Sequence, residues 1–277
     1  MKKMFKNFGI ITIIVIIGLV VAACKEPEPS CSHEYGDWST KTEATCVAAK
    51  VEKSVCSLCE NENTRNVGEP LGHDYVSSLI CKRTGCDHQY ALGDTGPGGG
   101  IIFYIADGED SRSLGFTLYM DVNDSIGTTA YYLEAAPSDT DTHLLWNSPA
   151  CTPVEHDGTA DEWLVTTGTG TAIGTGKKNT ALILAGDPDA PAAKACNNFS
   201  NNEKNDWFFP SRDELYELYN QKSILNMTKD KYWSSSETEW PGVAWGCIFL
   251  KFWDDDVLGL YTGFKAGSLW IRAIRAF

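Results

Sequence analysis

Six of the ten cysteines fall between Cys31 and Cys86, in company with His33, His73 and His88. Thiolate and imidazole are the side chains that hold a zinc-class metal, and a Cys-x-x-Cys turn sets two thiolates at adjacent corners of a tetrahedron. The pair Cys56-Ser-Leu-Cys59 has that spacing, and Cys81 and Cys86 form a looser knuckle with four residues between them. Such a site is completed by a second pair or by a histidine, and Cys56, Cys59, Cys81 and Cys86 together provide a layout for zinc. The rival chemistry is disulfide formation, favoured outside the cytoplasm. The segment 31–90, 60 residues long, has too little core to stand unaided, so either staple would serve it. The residues leave both readings open. A redox Cys-x-x-Cys is disfavoured, because no strand–helix–strand pattern surrounds Cys56.

The elements around these ligands repeat a theme: His33-x-Tyr35, His73-x-Tyr75 and His88-x-Tyr90. Cys31, His33, Tyr35, Trp38, the Ala44-Thr45-Cys46 run, Cys56, Cys59 and the stretch from Leu71 to Tyr75 occur in an order similar to a short Cys/His repeat of bacterial surface proteins. A second copy begins at Cys86 and stops. Repeats bury their faces against neighbours, so a lone copy must lean on something or be cross-linked. The fall in cysteine density places a domain boundary near Tyr90.

The rest of the chain carries few reactive groups. Cys151 and Cys196 could pair in an oxidising compartment, and Cys247, inside a strand pattern, reads as a buried free thiol. Of the five histidines only His143 and His156 lie here, in polar loop-like surroundings. The Ser234-Ser235-Ser236 run offers hydroxyls without an identifiable base. Asp254-Asp255-Asp256 is a candidate Ca²⁺ loop set against the reading of a solvated turn. Gly96-x-Gly98-x-Gly100 suggests a phosphate cradle, but a dinucleotide site places its glycines after a strand, and these precede one, Ile101 to Ala106. The run from Thr167 to Lys178 fails the P-loop template, since Lys178 follows Gly176-Lys177 where Ser or Thr is needed. What remains predicts a glycine loop, an N-cap at Asn179 or Thr180, and a short helix ending at Gly186. A second helix starts at Pro191. Ser211 and Glu214 have capping-box spacing, with Leu215, Leu218 and Tyr219 on one helical face. Strand patterns follow in "AWGCIFLKF" and "SLWIRAIRAF". Strands and helices do not alternate, which disfavours a parallel sheet and predicts an α+β fold.

At the N-terminus, Lys2, Lys3 and Lys6 precede an apolar run, Ile10 to Ala23, shorter than the ~20 residues a spanning helix needs. Val21-Ala22-Ala23-Cys24 resembles the lipobox of bacterial lipoproteins. The resemblance implies a signal peptide over 1–23, lipidation of Cys24, a membrane anchor through that lipid, and a charged, proline-rich linker over 24–30. Lys25, where sorting rules place Asp for inner-membrane retention, implies the outer membrane of a bacterial cell envelope. Loss of three lysines and no acids leaves 20 basic residues against 37 acidic, a formal charge of −17. That surface repels nucleic acid and other polyanions.

"DWFFPSRDELYELYN", "YWSSSE", "AWGCIF" and the closing "IRAIRAF", with "GPGGGIIFY" and "YLEAAP" upstream, occur in the order found in the C-terminal domain of the bacterial collagen-like adhesin. Phe209 stands where that family has leucine. The resemblance covers roughly 92–277 and implies a C-type lectin-like domain over 91–277, with a twisted antiparallel sheet and few helices, beside a small Cys/His-rich module over 31–90. It also implies a non-catalytic surface lipoprotein that recognises a glycan or extracellular protein. Candidate contacts are Trp233, Ser235, Glu237, Trp240, Trp245 and Arg272. The alternatives are a structural envelope protein without a ligand and an enzyme with the fold of the sulfatase-activating oxidases.

Overall fold

Short extended segments separated by turn-rich loops give a β-dominated architecture here, and every pairing between named strands is antiparallel. The computed structural model describes residues 31–75, 79–106, 115–140, 142–149, 168–229, 231–239, 243–248 and 260–277. The expectations for the signal segment, Cys24, Cys151, His156, Trp240 and the Asp254-Asp255-Asp256 run fall outside these residues, as do those for the side chains of Trp245 and Cys247. Among the described residues no helix is long and apolar enough to cross a membrane. The chain divides into two units: one runs to Ala44 and resumes over Ala48–Pro70, the other holds Thr45–Val47 and Leu71–Phe277. Leu71 to Tyr90 thus groups with the larger unit.

The smaller unit is a sheet of β1 (Ser39–Thr42), β2 (Lys50–Val55) and β3 (Glu62–Val67), in that order. Its cross-strand neighbours are charged. Glu62 accepts from Lys41 and Lys53 at 2.8 and 2.7 Å, Glu52 pairs with Lys50 and Arg65, and Arg65 lies over the Trp38 ring at 4.2 Å. Among its described residues only Ser54 and Cys56 are buried. Exposed ion pairs each contribute under ~1 kcal/mol, so this sheet needs a stronger fastening.

The larger unit runs β4 (Ile101–Ile105), β5 (Phe116–Leu118), β6 (Thr128–Ala130), β7 (Tyr132–Ala135), β8 (Leu144–Leu145), α1 (Gly176–Gly186), α2 (Pro191–Asn198), α3 (Arg212–Asn220), β9 (Lys231–Glu237), β10 (Val243–Ile248), β11 (Leu260–Phe264), β12 (Ser268–Leu269) and β13 (Ile274–Ala276). Its sheets are β13-β7-β4, β11-β10-β9, β12-β8 and β5-β6. The result is a mixed α+β unit of small antiparallel sheets and three helices.

The aromatic stretch before α3 shows how the core is built. Phe208 exchanges backbone hydrogen bonds with Ile274 at 2.7 and 3.0 Å, so the segment is extended and its side chains alternate. Phe208 joins the cluster of Phe103, Leu215, Leu218 and Tyr232, whereas Trp207 and Phe209 join that of Trp146, Ile183 and Trp233. The predicted capping box forms: Ser211 Oγ accepts from Glu214 N, and Ser211 N donates to Glu214 Oε2 at 2.7 Å. The helix start at Pro191 also holds.

Two local expectations fail. Helix α1 begins at Gly176, and Asn179 and Thr180 are buried inside it instead of capping it. The buried backbone just ahead of it is met by a distant group: Gly174 N donates to Glu214 Oε1 at 2.8 Å. "SLWIRAIRAF" is not one strand. It pairs with β8 through Ser268 and Leu269, crosses over at Trp270, and pairs with β7 from Ile274.

Candidate metal centres

Cys56 directly follows β2 and Cys59 lies in the tight turn towards β3, where Glu60 takes a left-handed φ of 58°. The arm before β1 folds back onto this turn through an antiparallel bridge from Tyr35 to Cys56 and a bond from Ser57 N to Glu34 O of 3.0 Å. That bridge carries Cys31 and His33 to the turn. Cys31 Sγ lies 3.7 Å from Cys56 Sγ, and Cys59 Sγ lies 3.2 Å from His33 Nδ1. The four ligating atoms all lie within 4.8 Å of one another.

A second cluster sits in the larger unit. Cys46 Sγ lies 3.6 Å from Cys81 Sγ, and Cys86 Sγ lies 3.3 Å from His73 Nδ1, again with all four atoms within 4.8 Å. Gly72 N bonds Cys46 O at 3.1 Å, and Arg83 bonds the carbonyls of Gly72 and Leu71, which pins His73 beside the thiols. Cys46 and Cys81 pack in one apolar cluster with Tyr75, Ile102 and Tyr132.

The four thiols expected at one site are thus divided: Cys56 and Cys59 serve one cluster, Cys81 and Cys86 the other. Each set is Cys₃His, one of the donor sets of structural zinc. A Zn–S bond of about 2.3 Å puts two sulfurs of a tetrahedron about 3.8 Å apart, whereas a disulfide holds them at about 2.05 Å. The separations here match the tetrahedral edge, and all six cysteines are free thiols. Spacing alone missed Cys31, His33, Cys46 and His73. The signal that finds them is the repeat, which sets a Cys-x-His ahead of the Cys-x-x-Cys and a Gly-His behind it. His88 is not a ligand; it stacks on His73 at 4.1 Å between ring centres, and its Nδ1 is hydrogen-bonded to the Tyr75 hydroxyl.

In each cluster the surroundings of one buried sulfur lower its pKa. For Cys56 burial acts upward, but N–H donors led by Leu58, at 3.4 Å, together with His33, bring it down to about 6. For Cys81 burial is likewise outweighed, by the amides of Asp74 and Arg83 and by His73, and it too is lowered to about 6. Their neighbours move the other way: Cys31 rises to about 12 through its bond to Cys59 and its burial, and Cys46 to about 12 through burial and its bond to Cys86. Like groups this close ionise as a set.

The expected ligand contacts are elsewhere, and most are core. Trp233 is 1 % exposed and donates its indole N–H to Gly267 O at 3.2 Å. Ser235 is buried between Pro210 O and the Asn179 amide. Glu237 holds the ammonium of buried Lys265, which lies over Trp146. Trp233 and Ser235 are covered along with the rest of Tyr232 to Ser236 in β9, and Glu237 at the strand's end is taken up by Lys265. Arg272 is 3 % exposed, bonded to Asp139 at 2.6 Å and Ala136 O at 2.8 Å, yet it lines an open cleft of about 360 Å³ with Trp270, Lys229, Asp139, Ser138 and Asn226. Lys229 lies 4.3 Å above the Trp270 ring. Cys196, expected to pair with Cys151, is a free thiol at 1 % exposure whose pKa burial pushes well up.

Both glycine loops do bind an acidic group, and in both it belongs to the protein. Gly98 N and Gly100 N donate to the Glu134 carboxylate at 3.0 and 2.6 Å, and Arg275 reaches the same group at 3.0 Å. A Cβ at Gly96 would lie 2.5 Å from Glu134 Cδ, and one at Gly100 only 2.0 Å from Ala135 O. Arg275 also grips Asp206 with two bonds of 2.8 and 3.0 Å, tying the aromatic stretch to the last strand. The second loop gives its Gly174 amide to Glu214, and a Cβ at Gly176 would lie 2.2 Å from Glu214 Oε2. These amides have no room for a phosphate.

No protein-family model matches the chain, and a search of curated proteins finds no significant relative.

Proposed function

We propose that this is a zinc-stapled, non-catalytic recognition protein of the bacterial cell envelope, held to the outer membrane by lipid on Cys24. The observation that carries the reading is the pair of Cys₃His sets. Four protein ligands close a structural zinc site, whereas a catalytic zinc keeps one position for water or substrate. Elsewhere among the described residues, three basic side chains are held in buried or partly buried ion pairs: Arg275 by Glu134 and Asp206, Arg272 by Asp139, Lys265 by Glu237. That supports contact and not turnover. The larger unit is read as C-type lectin-like on the strength of its ordered motifs, and its antiparallel sheets with three helices among the described residues are compatible with an α+β fold.

Recognition is assigned to the cleft beside Trp270, whose lining of indole, hydroxyl, amide and charged groups suits a glycan. Two measurements on the purified full chain test the proposal. Elemental analysis should find two zinc ions per chain, and a glycan array should register binding that Trp270→Ala removes. A chain that carries no zinc and six oxidised thiols would overturn the metal reading. An empty array would leave a structural envelope protein.

A further inference from the structure

We infer that the two clusters do different jobs: the Cys46 cluster keeps its metal for the life of the fold, while the Cys31 cluster is a surface exchange site. There a thiolate-preferring divalent cation enters from solution and leaves to a competing ligand. The inference rests on the metal reading above and goes beyond it.

The donor sets are identical, so the difference lies in access. At the first site His33 and Cys59 are exposed and only Cys56 is buried. A competing ligand can attach to the metal on the His33–Cys59 edge before any protein bond to it breaks. At the second site Cys81 is 4 % and Cys46 8 % exposed, and the other two ligands are half-buried. Ile102, Tyr132 and Tyr75 wall it in, with Tyr90 and Phe277 packed behind them. An apolar shell of this kind controls how solvent and ligands reach a metal.

The backbones differ in the same sense. The arm bearing Cys31 and His33 is fastened by the Tyr35 bridge and the bonds Gly36 N to Val55 O, 3.2 Å, and Ser57 N to Glu34 O, 3.0 Å. Opening that short arm would release two of four ligands at once, and little apolar surface is lost with it. The segment bearing His73, Cys81 and Cys86 is held by Arg83, by the Tyr132 hydroxyl donating to Leu79 O at 2.6 Å, and by Cys81 N to His88 O at 3.0 Å. Releasing it means exposing core residues of the larger unit. Local openings of the first kind are far more frequent than those of the second. As the metal leaves, the freed thiolates take up protons from water and the competitor takes the cation, so no redox step is involved.

The test uses the full chain in detergent, loaded with zinc and counted by elemental analysis. It is then mixed with excess chromogenic chelator. Release should occur in two steps of one equivalent each, separated in rate by roughly tenfold or more. Cys59→Ser and, separately, His33→Ala should abolish the fast step and leave the slow one, with one zinc still bound. Cys86→Ser should abolish the slow step. A single step releasing both ions, or a fast step that survives both Cys59→Ser and His33→Ala, overturns the inference while leaving the metal reading intact. A chain that holds no zinc before mixing overturns both.

Discussion

In β1, β2 and β3 the side chains that meet across the strands are mostly polar or charged, exposed on β1 and β3 and half-buried on β2; in β4, β7 and β13 they are aliphatic, aromatic or paired ions, and most are buried. Among its described residues the smaller unit buries only Ser54 and Cys56, so burial holds it weakly, and the Cys31, His33, Cys56 and Cys59 cluster is where a metal could cross-link it. The larger unit has three apolar clusters and can house whole ion pairs inside them. The same residue types accordingly do different work in the two regions. Carboxylates on the smaller sheet face solvent and lysines. In the larger unit Glu134 and Glu214 sit at 0 % exposure and organise glycine loops around themselves. The lesson is that a glycine-rich loop reports a nearby acidic group without saying whose it is.

Metal removal should separate the regions most widely. A structural zinc contributes on the order of 10–16 kcal/mol of apparent binding free energy. Chelation is therefore expected to melt β1–β3 outright while β9 and α3, which have apolar cores of their own, persist. Residue-resolved amide shifts of the full chain before and after chelation would read this, and unchanged shifts across β1–β3 would break the comparison.

Arg275→Ala should act in the opposite region. It leaves Glu134 and Asp206 without their cation, one of them fully buried, and breaking such a pair costs about 3–5 kcal/mol. Urea unfolding should show that loss in the larger unit only. A change under about 1 kcal/mol would mean that the glycine amides alone satisfy Glu134.

The smallest effect is a pH dependence. Burial pushes the Glu214 carboxyl up to about 7, against the amides of Ser211, Gly174 and Gly176, which favour the charged form. Its ordinary value is 4.5, so the folded state binds this proton more tightly than the unfolded state. The corresponding stability is complete below the ordinary value and is lost as pH rises through about 7, a change of up to ~3 kcal/mol. Urea midpoints across that window should fall in the natural chain and stay level in Glu214→Gln. Equal slopes in the two would show that the amide donors outweigh burial.

Much of the local structure was legible before any coordinates. The Ser211–Glu214 box, the Pro191 start, the strand from Ile101 and the apolar face of α3 all followed from residues a few positions apart. The start of α1 did not, because its cap comes from Glu214, 38 residues beyond Gly176. The break in "SLWIRAIRAF" did not either, since periodicity marks it as extended but cannot name its partner strands. Among the candidate contacts, Trp233 and Ser235 look the same in sequence whether they face a ligand or a core. The repeat theme held every residue of the two clusters except Cys81, yet the conspicuous Cys-x-x-Cys drew the pairing to a second knuckle that lies in the other cluster.

By itself the sequence determined which chemistry was available: thiols and imidazoles crowded into one short segment, glycine loops ahead of regular elements, two arginines near the end of the chain, and an acidic surface. Those are properties of residue type and near-neighbour spacing. Only the tertiary structure decided that the thiols belong to two sets and not one, and that the acidic groups in the glycine loops are Glu134 and Glu214. The reason is physical: a tetrahedral ligand set or a buried charge is assembled by which segments lie side by side, and that depends on the packing of layers tens of residues apart in the chain.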